Sequence, residues 1–127
     1  MYVSVFGAPA IGVGHEDLNL YRTREYKNFV LALGYKSEVV KDYFLHYQAR
    51  TSNLTVHLAS GQVDYSNPTA EDFRVTCVDT GALTQTGGRL RRLKSFLSPT
   101  DTFMLTYGDG VSDVDLTAVL AFHRSHG

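Results

Sequence analysis

Three segments of the chain combine glycine with polar or charged side chains in a way that could hold an anionic ligand. They are residues 34–36 (GYK), 84–90 (TQTGGRL) and 107–115 (YGDGVSDVD). Each follows, or lies close behind, an apolar run that predicts a buried strand. In open parallel sheets, ligands bind beyond the carboxyl ends of the strands. For Gly34, a tight strand-to-helix turn is the favoured interpretation, because glycine often serves loop geometry alone.

The second segment joins glycine amides to a cation at the start of a predicted helix. The backbone of Gly87 and Gly88, next to the guanidinium of Arg89, suits an anionic phosphate. A capped surface helix with a solvated Arg89 accounts for the same residues equally well. The loop chemistry alone therefore leaves both interpretations open.

The third segment places a carboxylate between two glycines after an apolar strand. Asp109, flanked by Gly108 and Gly110, is placed to hold a hard cation such as Mg²⁺ beside a nucleotide phosphate. For Asp113 and Asp115 we favour helix capping, and either could cap the helix that follows.

Other reactive side chains do not form a site. The histidines show no metal-binding spacing, and surface positions account for them. Cys77 is the only cysteine, and its place in a strand pattern predicts a small, buried apolar residue instead of a nucleophile. A single cysteine also rules out an internal disulfide and favours a reducing compartment, which we take to be the cytoplasm.

The elements that must position these segments alternate along the chain. Strands are predicted at residues 29–33, 54–58, 73–78 and 102–107, with a possible fifth at 2–6. Helices are predicted at 38–48, with Ser37 as its N-cap, at 88–97 and 115–125, and more weakly at 17–27. Strands that alternate with helices predict an α/β fold with a largely parallel sheet in a three-layer sandwich.

Composition limits the class of protein. With 127 residues the chain is the size of one domain, and its net charge of −1 offers no basic surface for nucleic acid or an anionic membrane. No apolar run is long enough to cross a bilayer.

Several motifs in order resemble glucose-1-phosphate cytidylyltransferases, a family of nucleotide-sugar pyrophosphorylases. The matching runs are YKNF at 26–29, GYK at 34–36, VKDYF at 40–44, VTCVDTG at 75–81, TGGRL at 86–90, TYGDGVSD at 106–113, and FH and HG at 122–123 and 126–127. Linked motifs in register are more specific than any one of them. The resemblance covers about residues 26–127, and residues 1–25 diverge from it.

The resemblance implies a truncated Rossmann-like fold and a Mg²⁺-dependent reaction of CTP with glucose 1-phosphate that gives CDP-glucose and pyrophosphate. On matching positions, Asp109 is implied to be one of two metal-binding carboxylates. The substrate-contacting positions implied in the same way are Thr84, Gly87, Gly88, Arg89 and Gly108.

Parts of the family pattern have no counterpart in the sequence. The Gly-Gly-x-Gly-Thr-Arg loop and the catalytic lysine do not appear in residues 1–25, and the second metal carboxylate falls after Gly127. We therefore expect residues 1–127 to be one partial nucleotidyltransferase-like domain without assigned catalytic residues. Missing strands would expose apolar faces and favour a homo-oligomer. Two hypotheses stay open: a transferase completed by a partner or by several copies, and a noncatalytic homo-oligomer that binds a nucleotide sugar or phosphate. The second is favoured.

Overall fold

The computed structural model describes residues 2–6, 28–67, 73–98, 102–107 and 113–126, and for residues 2–6 it describes the backbone only. The predicted helix at 17–27 lies outside these ranges. The elements, in chain order, are β1 (Tyr2–Phe6), β2 (Asn28–Leu33), α1 (Ser37–Leu45), α2 (Tyr47–Thr51), β3 (Asn53–His57), β4 (Gln62–Ser66), β5 (Arg74–Asp79), α3 (Thr86–Arg92), α4 (Lys94–Leu97), β6 (Phe103–Tyr107) and α5 (Leu116–His126).

Four of the strands form a parallel sheet in the order β5-β2-β1-β6. The chain adds β2 and then β5 on one side of β1, and later places β6 on the other side. The strand order thus reverses at β1. Leu33 pairs with Asp79, and Phe6 pairs with both Ala32 and Tyr107. This register brings the carboxyl ends of all four strands to one edge, and the predicted parallel α/β arrangement is confirmed for them.

Strand β2 is covered on both faces, as its uninterrupted apolar sequence predicts. On one face Val30 and Ala32 pack with Leu93 and Leu97 from the α3–α4 segment. On the opposite face, Phe29 packs against side chains that come from several elements. These are Phe73, Val75, Met104 and Leu116.

The helix boundaries correct two predictions and decide a third that was left open. Ser37 is the first residue of α1 instead of its cap, because Lys36 takes the cap position with a left-handed φ of 53°. The predicted helix at 88–97 begins earlier, at Thr86, and is interrupted at Leu93. The choice of cap for α5 is settled in favour of Asp115, whose Oδ1 accepts the N–H groups of Thr117 and Ala118 at 2.9 and 3.2 Å.

The strand predicted at 54–58 exists, but its place in the parallel sheet is wrong. It forms β3 of a separate antiparallel hairpin with β4, which the sequence did not predict. Four residues connect the two strands, and a parallel crossover needs a dozen or more. The turn closes through Gly61, whose φ is 74° and whose N–H donates to the His57 carbonyl at 2.8 Å.

Within the described ranges, no helix has both the length and the apolar character needed to cross a membrane.

Leu93 is fully buried between the helices and β2, so shortening it should leave a cavity. We expect Leu93→Ala to lower the free energy of unfolding by about 2–5 kcal/mol in urea denaturation. Leu83→Ala is the matched control, because Leu83 is 93% exposed and its loss should change stability by less than about 0.5 kcal/mol. Equal effects of the two changes would contradict this packing.

Candidate functional site

The carboxyl ends of β2 and β5 are joined through a single buried threonine. Thr80 follows β5 directly and is fully buried. Its N–H and its hydroxyl both donate to the carbonyl oxygen of Leu33, each at 2.7 Å. A buried hydroxyl needs such partners, because leaving it without a hydrogen bond costs free energy. Thr80 therefore ties the last residue of β2 to the loop after β5.

The guanidinium of Arg89 completes this junction. Its Nη1 donates to the Leu33 carbonyl at 2.9 Å and to the Thr80 hydroxyl oxygen at 2.6 Å, and its Nη2 donates to the Ala82 carbonyl at 3.4 Å. All three acceptors are neutral. Arginine carries five N–H donors, so within the described residues the Nε–H and one Nη2–H have no acceptor. Arg89 is held in place and still has donors for an anion.

Gly34 makes room for that guanidinium. A Cβ placed on Gly34 would lie 2.6 Å from both terminal nitrogens of Arg89, far inside van der Waals contact. The predicted turn after β2 is present, and Ser37 N–H donates to the Gly34 carbonyl at 3.2 Å. The turn alone does not explain this glycine, however. Gly34 is also needed because the Arg89 side chain, 55 residues further along the chain, packs against it. The sequence did not predict this contact.

A second arginine reaches the same loop. Arg92 Nη1 donates to the Thr80 carbonyl oxygen and, at 2.8 Å, to the hydroxyl oxygen of Thr84. Gly81 permits this approach: its φ is 86°, and an added Cβ would lie 2.6 Å from the Arg92 Nη1. Thr80 is thus contacted by two guanidinium groups, one at its hydroxyl and one at its carbonyl.

The 84–90 segment also reaches β6. The Thr86 hydroxyl and the Tyr107 hydroxyl lie 3.3 Å apart. This contact links the second predicted segment to the strand that precedes the third. The structure therefore gathers Thr84, Gly88 and Arg89 beside the ends of β2, β5 and β6.

The two glycines of the second segment differ in their surroundings. A Cβ on Gly88 would lie 2.8 Å from Cγ2 of Thr84, so packing within the protein explains that glycine. For Gly87, no atom of the described residues lies within 4 Å of the Cβ position. Open space at a helical glycine leaves room for a ligand near the backbone.

Asp79 adds an exposed carboxylate at the same edge. Its Oδ1 accepts the Gly81 N–H at 2.9 Å and its Oδ2 accepts the Ser37 hydroxyl at 3.2 Å. The hydrogen bond from the Gly81 N–H is the main cause that lowers the pKa of Asp79, with smaller contributions from Ser37, Lys41 and Arg89. Asp79 is therefore ionised at neutral pH and partly balances the charge of Arg89.

The metal prediction falls outside the described residues, as do Gly108 and Asp109. Among the residues that the structure does describe, no three His, Cys, Asp or Glu side chains are grouped closely enough to hold a metal ion. Asp109 stays a prediction. Cys77 lies in β5 as expected, and burial raises the pKa of its thiol, which disfavours the reactive thiolate.

The fold and the side chains at the carboxyl edge of the sheet together define a class of protein. This is an α/β protein whose parallel strand order reverses at β1, and arginine and threonine side chains gather at the carboxyl edge. That is the general location of ligand sites in open α/β sheets.

Comparison with known proteins gives a narrower result. No protein-family model matches the chain. It is 38% identical over 110 residues to glucose-1-phosphate cytidylyltransferase of Salmonella typhimurium, a match that covers 87% of this chain and 43% of that protein. It is 34% identical over 110 residues to the probable glucose-1-phosphate cytidylyltransferase of Bacillus subtilis, over 87% of this chain and 42% of that protein. The chain thus spans less than half the length of these relatives, and the resemblance deduced from the motifs is confirmed as a partial match.

The two glycines 34 and 87 allow a matched test of the Arg89 contact. Gly34→Ala should displace the guanidinium and cost about 1–3 kcal/mol of stability, since hydrogen bonds to charged groups contribute about that much. Gly87→Ala should be neutral or stabilise by up to about 1 kcal/mol, because alanine suits a helix better than glycine and the space is open. Urea denaturation of both variants measures the difference. A neutral Gly34→Ala variant would contradict the contact.

Proposed function

We propose that residues 1–127 form part of a nucleotide-sugar site of the glucose-1-phosphate cytidylyltransferase type, on a Rossmann-like three-layer sandwich. Alone, this part binds CDP-glucose, or CTP and glucose 1-phosphate, and does not complete the transfer. The observation that carries the proposal is the guanidinium of Arg89, held at the sheet edge with two N–H donors that no acceptor among the described residues takes. A reducing compartment such as the cytoplasm fits this chemistry.

Arg89 is suited to an anionic oxygen for two reasons. Its position is fixed before ligand arrives by Leu33 and Thr80, so little side-chain entropy is lost on binding. Hydrogen bonds from a charged donor to a phosphate are also roughly twice as strong as neutral ones. The open space beside Gly87 lets a phosphate or sugar approach the backbone there.

The proposed site includes Mg²⁺, with Asp109 as one of its ligands. This carboxylate comes two residues after Tyr107, the last residue of β6. Carboxylate oxygens are the ligands that Mg²⁺ takes in proteins. The bound ion would neutralise phosphate charge as the sugar phosphate attacks the nucleotide α-phosphate. Gly108 completes the substrate-contacting positions that the resemblance assigns.

We infer that turnover needs more than these residues supply. The resemblance assigns no residue of this sequence as the catalytic lysine, and it assigns only one of the two metal carboxylates. In-line phosphoryl-type transfer depends on positioning and charge neutralisation, so a half-set of such groups should bind substrate without transferring it.

A noncatalytic homo-oligomer is the second candidate. It is favoured by the β3–β4 hairpin, where Leu54 pairs with Tyr65 and Val56 with Val63, and all four side chains are exposed. Apolar side chains on one face of a two-stranded hairpin favour association. This candidate differs from the first in predicting a dimer or larger species in sedimentation, with weak ligand binding or none.

Calorimetric titration with CDP-glucose and Mg²⁺ tests the proposal. We expect saturable binding to the wild-type chain and binding about tenfold or more weaker to Asp109→Ala, because one carboxylate of the metal site is lost. Asp113→Ala is the matched control, since Asp113 is exposed and lies four residues further along the chain. This variant should bind CDP-glucose with the affinity of the wild type.

Loss of binding in both variants alike would reject a specific role for Asp109. The absence of heat with the wild-type chain would reject the ligand site and leave association as the property to explain. Pyrophosphate release by the wild-type chain alone would contradict the inference that these residues do not complete the transfer.

A further inference from the structure

We propose that Arg92 is a positioning residue that holds the Thr84 hydroxyl ready to donate a hydrogen bond to the bound ligand. The proposal rests on the proposed function, because the resemblance assigns Thr84 as a substrate-contacting position. Arg92 itself belongs to none of the motif positions discussed above.

The direction of one hydrogen bond decides what the Thr84 hydroxyl can do. Arg92 Nη1 lies 2.8 Å from the Thr84 Oγ1. Arginine is always a donor and has no acceptor, so Thr84 must be the acceptor in this pair. The hydroxyl proton is not used by Arg92, and within the described residues no acceptor takes it. Thr84 therefore presents an O–H donor to an oxygen of the ligand, such as a phosphate, hydroxyl or carbonyl oxygen.

Thr84 is held at its side chain and at its backbone. Its hydroxyl oxygen accepts a hydrogen bond from Arg92 Nη1. Its backbone N–H donates to the Gly81 carbonyl at 3.3 Å. A threonine held in this way is preorganised, so binding would not have to select its orientation.

Arg92 is exposed, but its guanidinium donates to two acceptors of the protein. Its other acceptor is the carbonyl of Thr80, the residue whose hydroxyl accepts from Arg89. Thr80 thus contacts both arginines, and Arg92 connects Thr80 to Thr84 through its two hydrogen bonds. Arg91, next to it in α3, is exposed like Arg92 but makes none of these contacts with the described residues, and is therefore a natural control.

A double-mutant cycle in the CDP-glucose and Mg²⁺ titration tests whether Arg92 acts through Thr84. Arg92→Met and Thr84→Val should each weaken binding by about fivefold, the equivalent of roughly one hydrogen bond. The combined variant should bind no more weakly than Thr84→Val alone, because the partner of Arg92 is already gone. Arg92→Lys should restore most of the affinity, and Arg91→Met should leave it unchanged.

Amide hydrogen exchange gives a readout that does not need ligand. Arg92→Met should speed exchange at the Thr84 amide in the full chain, and Arg91→Met should not. Additive losses in the cycle, or unchanged exchange in Arg92→Met, would overturn the proposal. If wild-type chain binds no CDP-glucose, the proposed function fails and the ligand part of this inference fails with it. The exchange data would then still show whether Arg92 holds the loop.

Discussion

The carbonyl oxygen of Leu33 is the point on which the edge of the sheet depends. It accepts three hydrogen bonds: from the Thr80 N–H, from the Thr80 hydroxyl and from Arg89 Nη1. A strand-end carbonyl beside a fully buried threonine must be satisfied within the protein, because a buried polar group without a partner is costly. Meeting that requirement fixes the loop after β5, the side chain of Arg89 and, with it, the orientation of α3.

Other features of the edge follow from this junction. Gly34 has no Cβ because the guanidinium lies over it, and Gly81 takes a left-handed φ beneath Arg92. The two arginines converge on one threonine through neutral acceptors, and the ionised Asp79 is a partial counter-charge to Arg89. A cationic edge of this kind is stable enough to be built before ligand binds and retains donors for an anion. In the proposed function, the side chains that build this edge are the ones that would bind the ligand.

The sequence predicted the parts that depend on local pattern. Strand β2 and the helical segment at 88–97, which places Leu93 and Leu97 in the core, follow from apolar periodicity. Pairing of strands is not local, so β3 was assigned to the wrong sheet and β4 was missed. The role of Thr80 was missed for a similar reason. Its partners, Leu33 and Arg89, lie 47 residues before it and nine residues after it, and only a threonine directly after a buried strand hinted at it.

We propose that the edge formed by Thr80 and Arg89 binds a nucleotide sugar. An NMR titration of the ¹⁵N-labelled chain with CDP-glucose and Mg²⁺ tests it most directly, because amide shifts locate the ligand. We expect saturable changes at Gly34, Thr84, Gly87 and Arg89 and at the end of β6, with the hairpin at 53–66 unaffected. Changes confined to the hairpin, or none at saturating ligand, would show that this edge does not bind the nucleotide sugar.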